Sequence, residues 1–394
     1  MDAVKRTPKV PLWLLALFTF AGTLAIHIFV PALPFAAISL SASNASVQLT
    51  ISVYIAGLAI GQLIYGPVSD RFGRRPTLMV GLTLYTVAGF AAALAPDIDS
   101  LVCARFLQAL GGCAGVVLGR AIVRDTAATH EAARRLALMN LVVIIGPGLA
   151  PIVGSALALT FGWRSVLYAL CALGVVNLIF TWRLLPETGT TAAAANSSVS
   201  VLARNYWQLL KSPAFLGYAI GGGCSTSAIY AFIATAPFIF VHQLNRPAHE
   251  VGIYLAILAS GGWFGYMLVW RLSHRVGLRA LLVAGNGLCV LGAFVLLGLA
   301  ASQHLSVVLV MLSMCVFSVG AGVASPAALT EAISVNQRVT GSASGLYGFT
   351  QMAVGALCAV LASLGDDPAL TTAIVLASAG VVAQLSFWIA SANG

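Results

Sequence analysis

The chain has 394 residues, of which 60% are hydrophobic and only 8% are charged, and its mean hydropathy is +0.97. Soluble domains carry about 25% charged residues, so this composition excludes an ordinary soluble protein. The formal net charge of +9 would suit a nucleic-acid-binding protein, but the basic residues have a topological explanation, and we expect no nucleic-acid partner.

Apolar runs recur from one end of the chain to the other, and a helix of about 20 such residues crosses a bilayer. The first run follows basic residues, as a signal peptide would, but it is long and a second run follows closely, so we expect no cleavage. We predict an all-α integral membrane protein with twelve transmembrane helices. They lie near residues 12–33, 45–66, 76–95, 101–121, 136–159, 165–185, 214–236, 251–270, 280–300, 305–328, 342–364 and 370–390.

The placement of Lys and Arg sets the orientation of these spans, because cytoplasmic loops are enriched in both residues. With the N-terminus inside, all of the 20 basic residues lie toward the inner side except Arg105, Arg164 and Arg246. We therefore predict a multi-pass protein of the inner (plasma) membrane with both termini cytoplasmic. The same asymmetry accounts for the net positive charge.

The first span carries His27 near its outer end, within the sequence IHIFVPALP. Histidine has an ordinary pKa of about 6.5, so it can exchange a proton near neutral pH. One hypothesis is that His27 takes part in proton coupling. The alternative is a neutral histidine that is hydrogen-bonded to a backbone carbonyl or a hydroxyl group.

The sequence GPVSDRFGRRP, which begins at Gly66, gathers one acid and three arginines in the loop between spans two and three. Gly66, Pro67 and Gly73 indicate a tight turn, and Pro76 suits the first turn of span three. Arginines can anchor the loop to anionic lipid, whereas Asp70 indicates a specific ion pair or helix cap. The N-terminus of span eleven, at residues 341–345, would attract such an acid. The three arginines are Arg71, Arg74 and Arg75.

The fourth span contains Arg105, the one basic residue well inside a predicted helix. A charge within the membrane is unfavourable and usually faces a cavity. Gln108 follows three residues later, so it shares the same helix face. We expect both side chains to line a polar cavity, and the alternative is that Arg105 extends to the outer interface.

The fifth span contains GPGLAPIVG, in which Pro147 and Pro151 lie four residues apart and Gly154 ends the segment. Prolines bend a membrane helix, and small residues allow close helix packing. The segment therefore predicts either a simple packing face or a hinge and seal between two halves of the protein.

The longest polar stretch, residues 186–213, divides the spans six and six, and its end predicts a short helix on the membrane surface. SDRFGRR at 69–75 and SHRVGLR at 273–279 share Ser, Arg, Gly and Arg in register. We predict two pseudo-symmetric six-helix bundles, at 1–185 and 214–394, with 186–213 as a cytoplasmic linker. Transporters built from such repeats hold their substrate between the halves.

Aromatic residues can line such a cavity, because pockets for small molecules are mostly apolar with a few polar points. Any single aromatic side chain in a span is more often a packing or lipid-facing residue than a cavity residue. The candidates, with Gln351 as a polar contact, are Tyr54, Tyr230, Phe232, Tyr254, Trp263 and Tyr347.

Acidic residues are confined to the predicted loops and inner ends, so no carboxylate lies deep in a span. A buried cation needs a nearby anion, so we expect a neutral, zwitterionic or weakly anionic amphiphile as substrate. The seven cysteines fall inside spans without CxxC spacing, and nucleotide-binding, nucleophile-elbow and zinc signatures are absent from the sequence. We expect no metal, no cofactor and no enzymatic activity.

Five segments, taken together, resemble the Bcr/CflA branch of the drug:proton antiporters in the major facilitator superfamily. The resemblance implies two six-helix bundles around a central cavity that opens alternately to each side, with protons and a small molecule as partners, and we expect a monomer. The segments are VPALP at 30–34, YIAGLAIGQLIYGPVSDRFGRRP at 54–76, RFLQALGG at 105–112, RAIVRD at 120–125 and PGLAPIVG at 147–154.

The resemblance also implies roles for individual residues. Asp70 would lock the inner side through Arg120 or Arg124, and Arg105 matches the membrane-embedded arginine of the family. The segment that begins at Pro147 matches a motif associated with antiport. His27 stands where the related sequences usually carry an acid, which puts a carboxylate-based coupling mechanism in doubt.

Three classes of function follow from these observations. The first is proton-coupled efflux of a small amphiphile, and the second is uptake of a metabolite by the same fold. The third is a non-transporting membrane receptor or an intramembrane enzyme. The third class would require substantial extramembrane parts or paired catalytic residues, and the sequence contains neither.

Overall fold

The computed structural model describes residues 10–126, 129–188, 199–273, 275–336 and 339–392, and its regular elements are helices. Seven α-helices and one 3-10 turn at Val30–Ala32 form the first half. The helices are α1 Leu12–His27, α2 Leu33–Ser39, α3 Asn44–Phe72, α4 Arg74–Ala93, α5 Ile98–Thr126, α6 Thr129–Phe161 and α7 Arg164–Leu184.

An amphipathic helix, α8, spans Val199–Leu210 at the end of the predicted linker. A π-helical turn at Ile239–Gln243 interrupts the second half. The helices of this half are α9 Pro213–Thr226, α10 Ile229–Phe238, α11 Ala248–Leu272, α12 Leu278–Ala301, α13 Val307–Ser334, α14 Thr340–Ala362 and α15 Pro368–Ala392.

The predicted all-α membrane fold is confirmed, because eleven helical segments in the described part of the chain are long and apolar enough to cross a bilayer. The fifth predicted span falls in α6. Of that helix, Gly146–Phe161 is found as a shorter apolar segment, and nothing is described for most side chains between residues 129 and 145. The number twelve therefore stays a prediction.

Two of the predicted spans are broken helices rather than continuous ones. The first ends as α1 at His27, turns through Pro31 and resumes as α2. The seventh breaks between α9 and α10 at Ser227 and Ala228. Backbone groups freed at such breaks are tolerated inside a membrane where protein or a cavity surrounds them.

The turn expected at Gly66 is wrong. Helix α3 continues through Gly66 and Pro67 as far as Phe72, and the chain turns at Gly73 alone. Gly73 has φ +97° and ψ 156°, a conformation open essentially only to glycine. The prediction that Pro76 lies in the first turn of the next helix is confirmed, because α4 begins at Arg74.

Glycines bring the helices of each half close together. In the first half, Gly57 of α3 faces the backbone of Phe106 in α5, and in the second half Gly285 of α12 faces the backbone of Gly320 in α13. Small residues allow this approach in membranes, where packing rather than hydrophobicity drives helix association. Between the halves, α3 packs against α14 and α6 packs against α11.

Candidate functional site

A cavity of about 480 Å³ lies between the two halves. Its wall is mostly apolar with a few polar side chains, which is the usual composition of a small-molecule site. Five of the predicted cavity residues line it: His27, Tyr230, Trp263, Tyr347 and Gln351.

His27 is the last residue of α1, and its side chain is 8% exposed at the cavity wall. Its ring lies beside that of Tyr230 from the other half, with 6.3 Å between the centroids and 35° between the planes. Within the described residues, no group forms a hydrogen bond with the His27 ring. The hydrogen-bonded histidine considered as the alternative is therefore not seen here.

Arg105 lies behind the cavity wall and not on it. Its guanidinium group is fully buried, and it donates from Nη1 to Oε1 of Gln108 at 2.7 Å and from Nη2 to the Ala25 carbonyl at 2.8 Å. It also stacks on the rings of Tyr54 and Phe29, 4.3 and 4.9 Å from their centroids. Full burial is incompatible with a side chain extended to the outer interface.

Three helices use long side chains to hold the backbone of α1. Besides Arg105 from α5, Tyr54 of α3 donates to the Gly22 carbonyl at 2.9 Å and Tyr85 of α4 donates to the Ala21 carbonyl at 3.2 Å. These acceptors lie within six residues of His27, so the three donors fix the end of α1. Sequence reasoning placed Tyr54 in the cavity and missed Tyr85, whose only signal was a polar group in the middle of a span.

The second half supplies most of the polar groups in the wall. Gln351 of α14 donates to the hydroxyl of Thr226 at 2.8 Å, and Tyr266 of α11 donates to the hydroxyl of Ser325 at 3.1 Å. The hydroxyl of Tyr347 is buried and has no partner among the described residues. Thr226 sits at the break between α9 and α10, which exposes polar groups that the sequence pattern had not indicated.

The remaining aromatic candidates lie outside the cavity wall. Phe232 is fully buried and packs edge-on against Phe240, and the ring of Tyr254 lies 4.4 Å from that of Phe240. The hydroxyl of Tyr254 also contacts Glu250. These residues form a packed layer of the second half rather than a polar surface.

The segment with Pro147, Pro151 and Gly154 joins the two halves. Pro147 lines the cavity, and a Cβ at Gly252 of α11 would lie only 2.6 Å from the Pro151 carbonyl oxygen. Gly154 packs so closely on the Ile28 carbonyl that no side chain would fit there. Both prolines lie within the continuous helix α6.

A charged cluster occupies the turn between α3 and α4. The guanidinium of Arg74 bridges two carboxylates, with 2.5 Å to Asp70 Oδ1 and 2.8 Å to Asp125 Oδ2 at the end of α5. The expected partners of Asp70 were Arg120 or Arg124, but in this structure Asp70 pairs with Arg74. Helix α3 extends to Phe72, so Asp70 comes one helical turn before Arg74, and Arg120 instead lines the cavity.

The neighbouring arginines have separate contacts. Arg75 donates to the Trp182 carbonyl at 2.7 Å, and Arg71 lies over the ring of Phe72. The carboxylate of Glu187, after α7, accepts the backbone N–H groups of Arg74 at 2.9 Å and Arg75 at 3.2 Å, which caps the start of α4. From the sequence, Asp125 and Glu187 were expected only to lie, like the other acidic residues, in predicted loops or at the inner ends of spans.

The contact between α3 and α14 lies about two helical turns before the charged cluster. Gln62 donates to the Gly348 carbonyl at 3.2 Å. The cluster and this contact belong to what we call the basic end of the molecule, defined by residues 62–76. The opposite end is held by Gly252 against Pro151 and by the Ser155 hydroxyl, 3.4 Å from the His249 carbonyl.

Comparison with known proteins gives consistent matches. The model of the Major Facilitator Superfamily matches residues 15–359. The multidrug resistance protein MdtL of Escherichia coli is 30% identical over 342 residues, which are 86% of this chain and 84% of the relative. The bicyclomycin resistance protein homolog of Haemophilus influenzae is 24% identical over 375 residues, which are 95% of this chain and 94% of the relative.

The solved structures agree with these sequence matches. A crystal structure of a D-xylose-proton symporter superimposes with a TM-score of 0.76 at 18% identity, and the match covers 96% of both chains. At that identity the likeness concerns the fold alone.

Proposed function

Because the chain belongs to the Major Facilitator Superfamily, and is therefore a membrane transporter and not an enzyme, we propose that it exports small amphiphilic molecules in exchange for protons. Transport proceeds by alternating access between two six-helix bundles with twelve transmembrane helices in all. Both termini face the cytoplasm, and the working unit is a monomer. The observation that carries the proposal is the cavity between the halves, with a titratable histidine in its wall.

The direction of transport rests on similarity to proteins named for multidrug and bicyclomycin resistance. Uptake of a metabolite uses the same architecture, as the fold of a D-xylose-proton symporter illustrates. No feature of the cavity favours uptake, so export is the function we assign.

The cavity wall supports a neutral, zwitterionic or anionic substrate. Within the described residues, the lining includes aromatic and aliphatic side chains, hydroxyls and the amides of Gln62 and Gln351, and it includes no carboxylate. A cationic drug transferred into this wall would lose its hydration without gaining a counter-ion.

Proton coupling is assigned to His27. It is the titratable group that the cavity shares with the end of α1, and three donors hold that end in place. The proton site at His27 and the substrate site lie in the same cavity wall. A proton on His27 and a bound substrate therefore compete, so that binding of one favours release of the other. Competition of this kind couples export of the substrate to import of a proton.

Alternating access requires the contacts at one end to open while those at the other end close. At the basic end, such a contact joins Gln62 of α3 to Gly348 of α14, whereas the Arg74 cluster holds three helices of the first half together. At the opposite end, such contacts join α6 to α11 near Pro151. Pro147 and Pro151 lie within α6, and prolines bend membrane helices, so we assign this helix as the hinge about which the halves rock.

Inverted membrane vesicles that hold a respiratory proton gradient test this function. Addition of chloramphenicol-like or bicyclomycin-like compounds should release protons from vesicles that contain the protein and not from vesicles that lack it. His27→Ala should abolish the release, whereas His304→Ala, at an exposed loop histidine, should leave it unchanged. Unchanged proton release in the inserted His27→Ala protein would refute the role of His27.

A further inference from the structure

Arg120 is a second basic residue of the cavity wall, and the proton-coupling proposal does not use it. It lies on α5 fifteen residues after Arg105, which corresponds to roughly 22 Å along the helix axis. Its side chain is accessible within the cavity, near the basic end, whereas His27 lies toward the opposite end. The cavity therefore has a permanent positive charge near the basic end.

The described part of the chain supplies no counter-ion to this charge. Within the described residues, Arg120 has neither an ion pair nor a hydrogen bond, and the cavity lining contains no Asp or Glu. Asp125, five residues further along α5, and Asp70 are both bound to Arg74. Charged side chains inside membrane proteins are generally paired, so the guanidinium of Arg120 in the cavity wall is available to pair with a bound anion.

The surroundings of Arg120 suit an acidic head on an apolar body. Tyr266 and Ser325, from the opposite half, are hydrogen-bonded to each other at the wall, and the phenol of Tyr266 lies within electrostatic range of Arg120. Apolar side chains such as Val116 and Leu329 line the wall around them. A guanidinium with neighbouring hydroxyls binds carboxylates well, because its fork of N–H groups matches two oxygens.

We propose that Arg120 binds the anionic group of the substrate, so that the preferred substrates are amphiphilic monoanions of the aryl carboxylate class. This inference rests on the proposed function, since it takes the cavity as the transport site. Among the neutral, zwitterionic and anionic molecules that the cavity admits, it assigns a preference to those that carry a negative charge at one end.

The test is equilibrium binding to the full-length protein in nanodiscs of zwitterionic phosphatidylcholine. The probes are a panel of aryl carboxylic acids, led by 1-naphthylacetate, each paired with its neutral primary amide. At pH 8 the acids should bind about tenfold or more tightly than the amides, as expected for a charge-assisted pair. Arg120→Gln should remove this preference and leave amide binding within about twofold, and Arg120→Lys should retain part of it.

Arg124→Gln is the matched control, because Arg124 lies one turn further along α5 and is not among the cavity-lining residues. It should leave the preference intact. Arg120→Gln removes an unpaired charge, so it should fold with an apparent Tm no lower than that of the wild type, and this measurement separates lost binding from lost structure.

Three outcomes would overturn the inference: amides that bind as tightly as acids, acid binding that survives Arg120→Gln, or no acid in the panel that binds. A fourth would reassign Arg120 to a lipid headgroup, namely acid binding that disappears when phosphatidylglycerol replaces a third of the lipid.

If the amides alone are exported from cells or vesicles, this inference fails and the transport proposal stands. If an inserted protein moves neither class and no resistance compound, the transport proposal itself fails.

Discussion

The two loops related by the internal repeat, residues 69–75 and 273–279, share four residues in register but not their backbone conformation. Gly73 has φ +97°, whereas the matching Gly277 has φ −60° and ψ 147°, which any residue can adopt. A Cβ at Gly73 would also collide with the carboxylate of Glu187, and a Cβ at Gly277 would meet nothing. The same glycine is thus obligatory in one loop and optional in the other.

The charges of the two loops differ in the same way. In the first, Arg74 is 11% exposed and bridges two carboxylates. In the second, Leu278 takes the matching position, and Arg279 is 56% exposed and lies 3.6 Å from Glu331. His274, which replaces Asp70, lies outside the described residues. The comparison indicates that a repeat can preserve a sequence motif while only one copy holds helices together.

Gly73→Ala should have the largest effect among changes to these loops. A side chain at this φ and ψ is strained, and displacement of Glu187 removes the cap of α4, which together correspond to roughly 2–4 kcal/mol of unfolding free energy. The measurement is reversible unfolding in mixed detergent micelles. Gly277→Ala, the control, should be neutral or more stable by up to about 1 kcal/mol. Equal destabilisation of the two variants would show that the loops are equivalent after all.

Arg74→Gln should rank second. It leaves Asp70 and Asp125 close together without their shared cation, and we expect a loss of about 1–2 kcal/mol in unfolding free energy. Transport should fall as well, because the cluster holds the basic end. Arg279→Gln should change stability by less than about 1 kcal/mol, as is usual for an exposed ion pair. The comparison fails if Arg279→Gln is the more damaging of the two.

Much of the fold was predictable, because membrane spans are encoded by the length of apolar runs and by the positions of Lys and Arg. The breaks after His27 and Thr226 were not, since broken helices remain apolar throughout. The direction of each helix face was also hidden: Arg105 was expected in the cavity but lies behind it, bound to Ala25. A single sequence contains no information on how neighbouring helices are rotated.

The partner of Asp70 illustrates a second limit. An acid among arginines indicated an ion pair, and the structure contains one, but with Arg74 rather than with Arg120 or Arg124. The difference arises because α3 passes through Pro67, which the sequence suggested as a turn. When a helix ends one turn later than expected, an acidic residue near its end reaches a different arginine.

Glu187→Gln should have the smallest effect of the three changes to the first loop. The amide keeps an oxygen that can accept the N–H of Arg74 or Arg75, but it loses the negative charge that favours the positive end of the α4 dipole. We expect a loss of about 0.5–1 kcal/mol in unfolding free energy, and this loss should shrink at 1 M salt because the carboxylate is exposed. Glu331→Gln is the matched control: Gly277 caps α12 without a side chain, so this acid has no helix end to stabilise. The prediction fails if Glu187→Gln and Glu331→Gln lose the same unfolding free energy, or if salt does not change the loss in Glu187→Gln. Either result would mean that the charge of Glu187 does not matter and that the first loop owes its stability to Gly73 and Arg74.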